Sequence, residues 1–538
     1  MFFKSRNYVA SNSNTKMITM RKLFLLLWAT SLCIMGNAQE ESLDLEAVQK
    51  IRQEGLNNSK VMEHAFYLTD VSGPRLNNSP GYLRAANWAK NKLEEYGLEA
   101  KLEAWGDWGK GWELQRSYVA MTVPYYRPLI AFPKAWCSGS NGLQNAEIII
   151  IKAKDSVELD NYKGTLTGKI ILLPRSDTLK PGFTADASRF TEEELIKMAD
   201  WDPKNQPAAN PQRGPGGQRP SLTVNINKLK EFARKEGAVA ILSASTRGRD
   251  GTVFVSGGGS YAANAPENFL DIMLAYEDYM SLYRLASNNI PVKLEVDVKT
   301  SFNSKDIKGY NVVAELKGTD KKLKEEVVMI GGHLDSWHGS TGATDNAAGC
   351  SVMMEVVRIL KSSGLKPKRT IRICLWGGEE QGLHGSRNYV RNHLSDTATR
   401  RSNSEGDKVS AYFNLDNGTG KVRGVYLQGN AGVKAIFTKW LEPFNDLGAA
   451  TITLQNTGGT DHLAFDGVGI PGFQFIQDEI DYNTRTHHTN MDSYDHLIAD
   501  DLKQAATIIA SFVYHTAQRA EKIPRKPAPG ATQQRQGF

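Results

Sequence analysis

Cysteine is scarce in this chain: four in 538 residues, at positions 33, 137, 350 and 374. So few thiols exclude a disulfide framework as the basis of stability. Cys350 and Cys374 lie in apolar, element-like stretches and read as small buried hydrophobes. Long apolar runs are also missing. Outside residues 1–38 there is no stretch of about eighteen apolar residues, so no bilayer-spanning helix is expected. Charge of one sign is nearly absent once its location is considered. The formal charge of +6 comes from five basic residues before position 39 and from Lys522, Arg525, Lys526 and Arg535 near the end. The body between them is about −3, which argues against a polyanion such as nucleic acid as partner. No internal repeat is present. Gly164 to Ile170 imitates a phosphate-binding loop, but its spacing is one residue short and no Ser or Thr follows Lys169.

What is present starts with a leader-like segment. Arg21 and Lys22 precede an apolar run from Leu23 to Met35, followed by Gly36-Asn37-Ala38. A basic start, a short apolar run and small residues predict a signal peptide over 1–38, with cleavage after Ala38 and a secreted or periplasmic location. The remaining length calls for more than one domain. Residues 42–97 read as helical, with an apolar period near 3.6 from Pro80 to Tyr96 and a stop at Gly97. Between 130 and 300 short apolar runs at Ile148–Ile151, Ile170–Leu173 and Val239–Leu242 alternate with turn-rich segments. They predict a small β-rich domain with its own core, crossed by an exposed loop between Pro203 and Pro220. After about 305 buried strands at Glu326–Ile330, Thr370–Trp376 and Ser410–Leu415 alternate with helices at Ala347–Leu360 and Gly385–Leu394. That alternation predicts an α/β fold, a mixed and mostly parallel sheet flanked by helices. The expected division is 42–125 and 305–517 for the two parts of one domain, 130–300 for an insertion, and 518–538 for a disordered tail.

Acidic and imidazole groups cluster where those strands end. His333 and Asp335 follow the first strand, Asp345 lies in the glycine-rich loop behind it, Glu379 and Glu380 follow the second, and Asp416 follows the third. His487 and His488 come near the end of the chain. In a parallel sheet such positions gather at one edge. Taken singly each has an ordinary reading: a polar pair for His333 and Asp335, a solvated corner for the two glutamates, a helix N-cap for Asp345-Asn346. Together, two histidines and several carboxylates without thiolate fit zinc or a similar divalent ion. So many carboxylates in one pocket would raise one another's pKa unless cations neutralised them. Two ions about 4 Å apart, sharing a carboxylate and a water, would supply a nucleophile and a Lewis-acid clamp. Glu379 and Glu380 can provide one ligand and one proton acceptor. Asp335 is placed to orient the His333 imidazole from behind.

The order of blocks GGHLDSW, TGATDNAAG, WGGEEQGLHGS, NLDNGTG, GGTDHLAFDGVGIPGFQF and HHTNMDS resembles the zinc aminopeptidases of peptidase family M28. Its plasma glutamate carboxypeptidase branch looks nearest. The likeness covers 305–515 and the helical stretch 42–97, and 130–300 resembles a protease-associated domain inserted in the catalytic one. The resemblance implies His333 and Asp416 on one zinc, Asp345 as the bridging carboxylate, and Glu380 and His488 on a second zinc. It implies Glu379 as general base and His487 as a group that stabilises the oxyanion. It places Asp461 and His462 near the substrate cleft. The implied activity is hydrolysis at the N-terminus of short peptides or in dipeptides, and the implied assemblies include a homodimer. Alternatives within the fold are a carboxypeptidase for glutamate-like C-termini, a glutaminyl cyclase, or a receptor without catalysis. No arginine cluster near the blocks announces a glutamate pocket; Arg485 is a lone candidate, and a lone arginine there is more often structural.

Overall fold

The strands that flank the histidine and carboxylate blocks pair in a single sheet. In the computed structural model, which describes residue 1 and residues 41–176, 178–205 and 224–527, these are β1 (Glu99–Asp107), β2 (Lys308–Leu316), β3 (Val327–His333), β4 (Thr370–Trp376), β5 (Val409–Asn414), β6 (Val422–Tyr426), β7 (Thr451–Thr453) and β8 (Gly472–Gln477). Their order across the sheet is β1-β2-β4-β3-β5-β8-β6-β7. The four central strands β4, β3, β5 and β8 run parallel, while β1 and β2 are antiparallel additions at one edge. The fold is thus α/β with a mixed sheet, as the alternation of apolar runs predicted.

The central strands are buried on both faces, which is why they read as continuous apolar runs. On β3, Val328 and Ile330 join one core with Phe413, Phe473 and Phe512, while Val327 and Met329 join a second with Trp376 and Tyr412. Helices α1 (Leu45–Asn57), α2 (Pro80–Glu95), α3 (Ala348–Ser362) and α4 (Ala499–Gln518) contribute to the first core. Ser79 caps α2 by accepting from the Tyr82 N–H, and Pro80 occupies the first turn, where its missing N–H leaves no intrahelical bond unmade. Helix α3 is buried from Ala348 to Leu360, and its charged Glu355 and Arg358 pair with each other there. Its first turn presses on the end of β5: a Cβ at Gly349 would stand 2.2 Å from the Leu415 carbonyl oxygen. No side chain larger than hydrogen fits there.

A second sheet is made by residues 111–303, in the order Arg127–Pro128, Gly111–Val123, Lys293–Asn303, Gln144–Ile150, Lys169–Leu172, Ala240–Ala244, Asp271–Leu274 and Ala131–Pro133. It has its own apolar clusters on both faces. The segment Gly111–Val123, expected with residues 42–125 in the first domain, pairs along most of its length with Lys293–Asn303 in this sheet. Its apolar residues suit a second sheet as well as the first, so sequence pattern alone misplaced it.

Two further expectations are corrected. The helix predicted over Gly385–Leu394 is α-helical only at His384–Tyr389 and continues as a wider π-turn through Val390–Leu394. The tail predicted to be disordered from 518 is packed as far as Lys526. Ile523 is buried, Arg525 donates to the Gly406 carbonyl, and Lys526 pairs with Asp466. A single apolar residue among charged ones gives little signal of such docking. The expected leader, residues 206–223 of the proline- and glycine-rich loop, and residues 528–538 lie outside the described residues. No described helix is long and apolar enough to cross a membrane.

Candidate metal centre

The parallel strands deliver their loops to one edge, where the predicted residues meet. His333 is the last residue of β3, and Asp416 follows β5 by two positions. Glu379 and Glu380 follow β4, and Asp345 stands in the loop before α3. In that loop Asn346, not Asp345, serves the helix: its side-chain oxygen accepts the Gly349 N–H at 2.9 Å, and its amide donates to the Leu415 carbonyl at 2.8 Å. Asp345 is thereby released to face the site.

Asp345 lies at the centre of the cluster. Its Oδ1 is 3.1 Å from His333 Nε2, and its Oδ2 is 3.1 Å from His488 Nε2. His333 Nε2 is also 3.4 Å from Asp416 Oδ1, and His488 Nε2 is 2.8 Å from Glu380 Oε2. Two groups of donors therefore share Asp345: His333 with Asp416 on one side, Glu380 with His488 on the other. His487 is more distant, with Nε2 4.0 Å from Asp345 Oδ2.

The donors in the first group are arranged to converge rather than to pair. His333 Nδ1 stands 2.9 Å from the Asp335 carbonyl oxygen, a contact that makes it the protonated nitrogen. Nε2 then faces two carboxylates, a position that either a proton or a metal cation can occupy. Consistently, Asp345 Oδ2, both Glu380 oxygens and Asp416 Oδ1 are buried, and no donor meets them in hydrogen-bond geometry. An all-nitrogen-and-oxygen set of this kind suits a divalent ion of the zinc type.

Electrostatics agree. Burial, followed by the neighbouring Asp345 charge, pushes Glu380 up to about 7. Glu379 is held well above the carboxylate range, first by burial and then by Asp416, Asp461 and Glu380, with His333 opposing. Burial alone would lower His488, but Glu380 and Asp345 carry it up to about 10. His333 is likewise raised by Asp416 and Glu379 against its own burial. Asp345 goes the other way: burial would raise it, but the two imidazoles hold it well below the usual range.

A measurable consequence concerns protons. His488 must be neutral to ligate a metal, yet its folded pKa is raised, so below about pH 10 it carries a proton that a metal must displace. Zinc uptake by metal-free protein is expected to release protons at pH 7 and to tighten between pH 6 and 9, by up to about tenfold per pH unit for each proton released. Calorimetry in two buffers of different ionisation enthalpy measures the number. Linkage has the corresponding sign. A raised histidine stabilises the folded state below its unfolded pKa near 6.5, and that stability is lost as pH rises through about 10. The metal-free chain is therefore expected to weaken on the alkaline side, and the metal-loaded chain much less.

Supporting residues differ in part from expectation. Asp335 does orient His333, but through its main-chain oxygen. Its carboxylate Oδ1 lies farther off, 3.7 Å from Nδ1, and instead accepts the Glu379 N–H at 3.1 Å, while Oδ2 accepts the Glu380 N–H at 3.3 Å. One aspartate thus ties β3's end to the glutamate corner. Asp492 performs a matching task that its place in the last block did not reveal. It accepts the Thr344 N–H at 2.6 Å and the Asp345 N–H at 3.1 Å, fixing the central carboxylate from behind. Buried Arg75 donates to the carbonyls of Leu334, Thr341 and Gly342 and so holds the loop between His333 and Asp345.

Asp461 and His462 are fully buried and so do not line an open cleft. His462 Nε2 faces the Gln428 amide and the Thr457 carbonyl. Neither Asp461 oxygen meets a donor in hydrogen-bond geometry; burial pushes Asp461 up to about 7, opposed by His333 and the nearby Ser386 hydroxyl. Arg485 is engaged with Asp186 at 3.2 Å and is structural, as expected of a lone arginine.

The second sheet supplies a wall of the site that no block announced. His488 has a left-handed backbone, φ 62°, costing roughly 1–2 kcal/mol for a non-glycine residue. The Val255 N–H holds it by donating to the His488 carbonyl at 3.1 Å, and Phe254 lies 5.6 Å from the His488 ring. From the same segment Arg247 Nη2 reaches His487 Nδ1 at 3.2 Å. Arginine can only donate, so Nδ1 accepts and the His487 proton sits on Nε2, the nitrogen nearer Asp345. Burial, with His488 and Arg247, pushes His487 down to about 4, so it is neutral at pH 7.

Comparison with known proteins gives a consistent result. The profile of peptidase family M28 matches residues 311–513. Carboxypeptidase Q of Bos taurus is 31% identical over 479 residues, covering 88% of this chain and 88% of that protein. Among solved structures, a peptidase M28 precursor from Shewanella amazonensis superposes with a TM-score of 0.62 at 22% identity, covering 90% of this chain and 99% of the other. A zinc aminopeptidase from Bacillus subtilis gives 0.52 at 20% identity, covering 84% and 93%.

Proposed function

Because the chain belongs to peptidase family M28, we propose that this zinc metallopeptidase is a two-zinc exopeptidase that cleaves short peptides at the N-terminus, dipeptides included. The observation that carries this reading is the convergence of buried carboxylate oxygens and two imidazole Nε2 atoms around Asp345. His333 and Asp416 would hold one ion, Glu380 and His488 the other, and Asp345 both. When bound, the ions polarise the scissile carbonyl and lower the pKa of the attacking water. The hollow at the cluster itself is lined by Trp337, Asp345, Glu380 and His488, and a separate cavity of about 430 Å³ is lined by Asp186, Arg247 and Thr484.

The chain's own groups then manage the protons. Glu379 takes one proton from water as its oxygen bonds to the scissile carbonyl carbon. The C–N bond breaks as Glu379 returns that proton to the leaving nitrogen, and the second proton of the water passes to the amine as well, so that the products are a carboxylate and an ammonium group. The burial of Glu379 beside the cluster suits a group that must hold the proton between the two steps. The neutral His487 presents Nε2–H toward the site and donates to the oxyanion as charge grows there. The leader-like start supports secretion or export to a periplasm, and the second sheet is assigned to a protease-associated insertion.

A panel of dipeptides and N-terminally free tripeptides tests this reading. Release of the N-terminal residue is expected with zinc, abolished by a chelator and restored by zinc. A zinc-loaded, folded protein that cleaves none of them refutes it.

A further inference from the structure

Arg247 is a cation that faces the candidate centre without a carboxylate of its own. It belongs to the turn after Ala240–Ala244 of the second sheet, far in sequence from every ligand. Its guanidinium stacks on Phe254 at 4.2 Å and touches His487 Nδ1 at 3.2 Å. The nearby acid, Asp186, is already taken by Arg249 and Arg485. Among the described residues no ion pair joins Arg247 to an acidic group. The contact with His487 occupies one of its donors, and Arg247 also lines a cavity of about 430 Å³.

The geometry points to Arg247 as the residue that recognises the free C-terminal carboxylate of a dipeptide substrate, a proposal that rests on the peptidase reading above. In a dipeptide that carboxylate is one residue beyond the cut bond, about 3.8 Å further along the chain. His487 donates to the oxyanion through Nε2 and contacts Arg247 through Nδ1, so the guanidinium stands one imidazole ring away from the reacting carbonyl. Its fork is matched to a carboxylate, and stacking on Phe254 fixes its plane. Longer peptides and amides place a neutral group there. The second sheet thereby sets substrate length: it measures how far the C-terminus lies from the scissile bond.

The test compares an unblocked dipeptide with the same dipeptide carrying a C-terminal amide, on zinc-loaded full-length protein. Wild type is expected to prefer the free acid by about 10- to 100-fold in kcat/KM, the scale of a charge-assisted hydrogen bond. In R247M, which keeps the contact with Phe254, KM for the free acid rises and the preference falls to near one. R247K retains part of the preference. A fall in kcat shared by both substrates reports the lost contact with His487 and leaves the ratio unchanged, so the ratio is the readout. No preference in wild type, or an equal preference in R247M, overturns the assignment while leaving the peptidase reading intact. Failure of wild type to cleave either substrate overturns both.

Discussion

Glu379→Gln is expected to lower kcat by about 10²- to 10⁴-fold, the usual worth of a positioned acid–base group, with little change in zinc content or KM. Glutamine is nearly isosteric and keeps the main-chain N–H that Asp335 receives at 3.1 Å, so the corner should survive. What it loses is the ability to take a proton from water and return it to the amine. Glu379 has no close contact with His333 or His488 like those of Glu380, which separates the base from the ligand. Activity and metal content measured on the same preparation check this. Loss of zinc along with activity would instead make Glu379 a ligand.

Asp345→Ala is expected to be at least as severe, by a different route. One side chain reaches toward both imidazoles, 3.1 Å from each, so its removal takes an oxygen from each ion. Bound zinc should fall to one ion per chain or fewer. kcat/KM should fall by about 10³-fold or more, since a metal clamp supplies several kcal/mol to the transition state. Thermal stabilisation by added zinc, which follows from binding to the folded state alone, should shrink with it. A variant that keeps two ions would show that the bridge lies elsewhere. His487, also within reach of Asp345 and His488, is then the alternative donor.

The central strands and the gathering of imidazoles and carboxylates at their ends were legible because they rest on local rules. Thr370–Trp376 is apolar apart from Thr370 and Arg372, since both its faces are largely covered, and its bounds match the expectation. The glutamates that follow it could be placed at a sheet edge without knowing the sheet. What escaped depends on contacts between distant segments. Gly111–Val123 has an apolar content that suits either sheet, and only its pairing with Lys293–Asn303 decides. Ile523 docks a tail whose composition reads as solvated. Asp492 reaches the main chain of Thr344 and Asp345 across about 150 residues of sequence, and nothing local distinguishes such a carboxylate from a solvated one. Arg247 is the extreme case, an arginine in a turn of the second sheet whose partner is His487. Asp335 was read as a support for His333 with no atom assigned. Its main-chain oxygen faces Nδ1 while its carboxylate accepts from the Glu379 and Glu380 N–H groups, because spacing places a residue but not the atom it uses.

The most direct test is the zinc stoichiometry of the folded full-length chain, measured by elemental analysis after removal of loosely bound metal and paired with peptidase activity as zinc is returned to metal-free protein. Two ions per chain are predicted, with full activity regained only as the second site fills. Full activity with one ion bound, or a folded chain that takes up no zinc near neutral pH, would contradict the account.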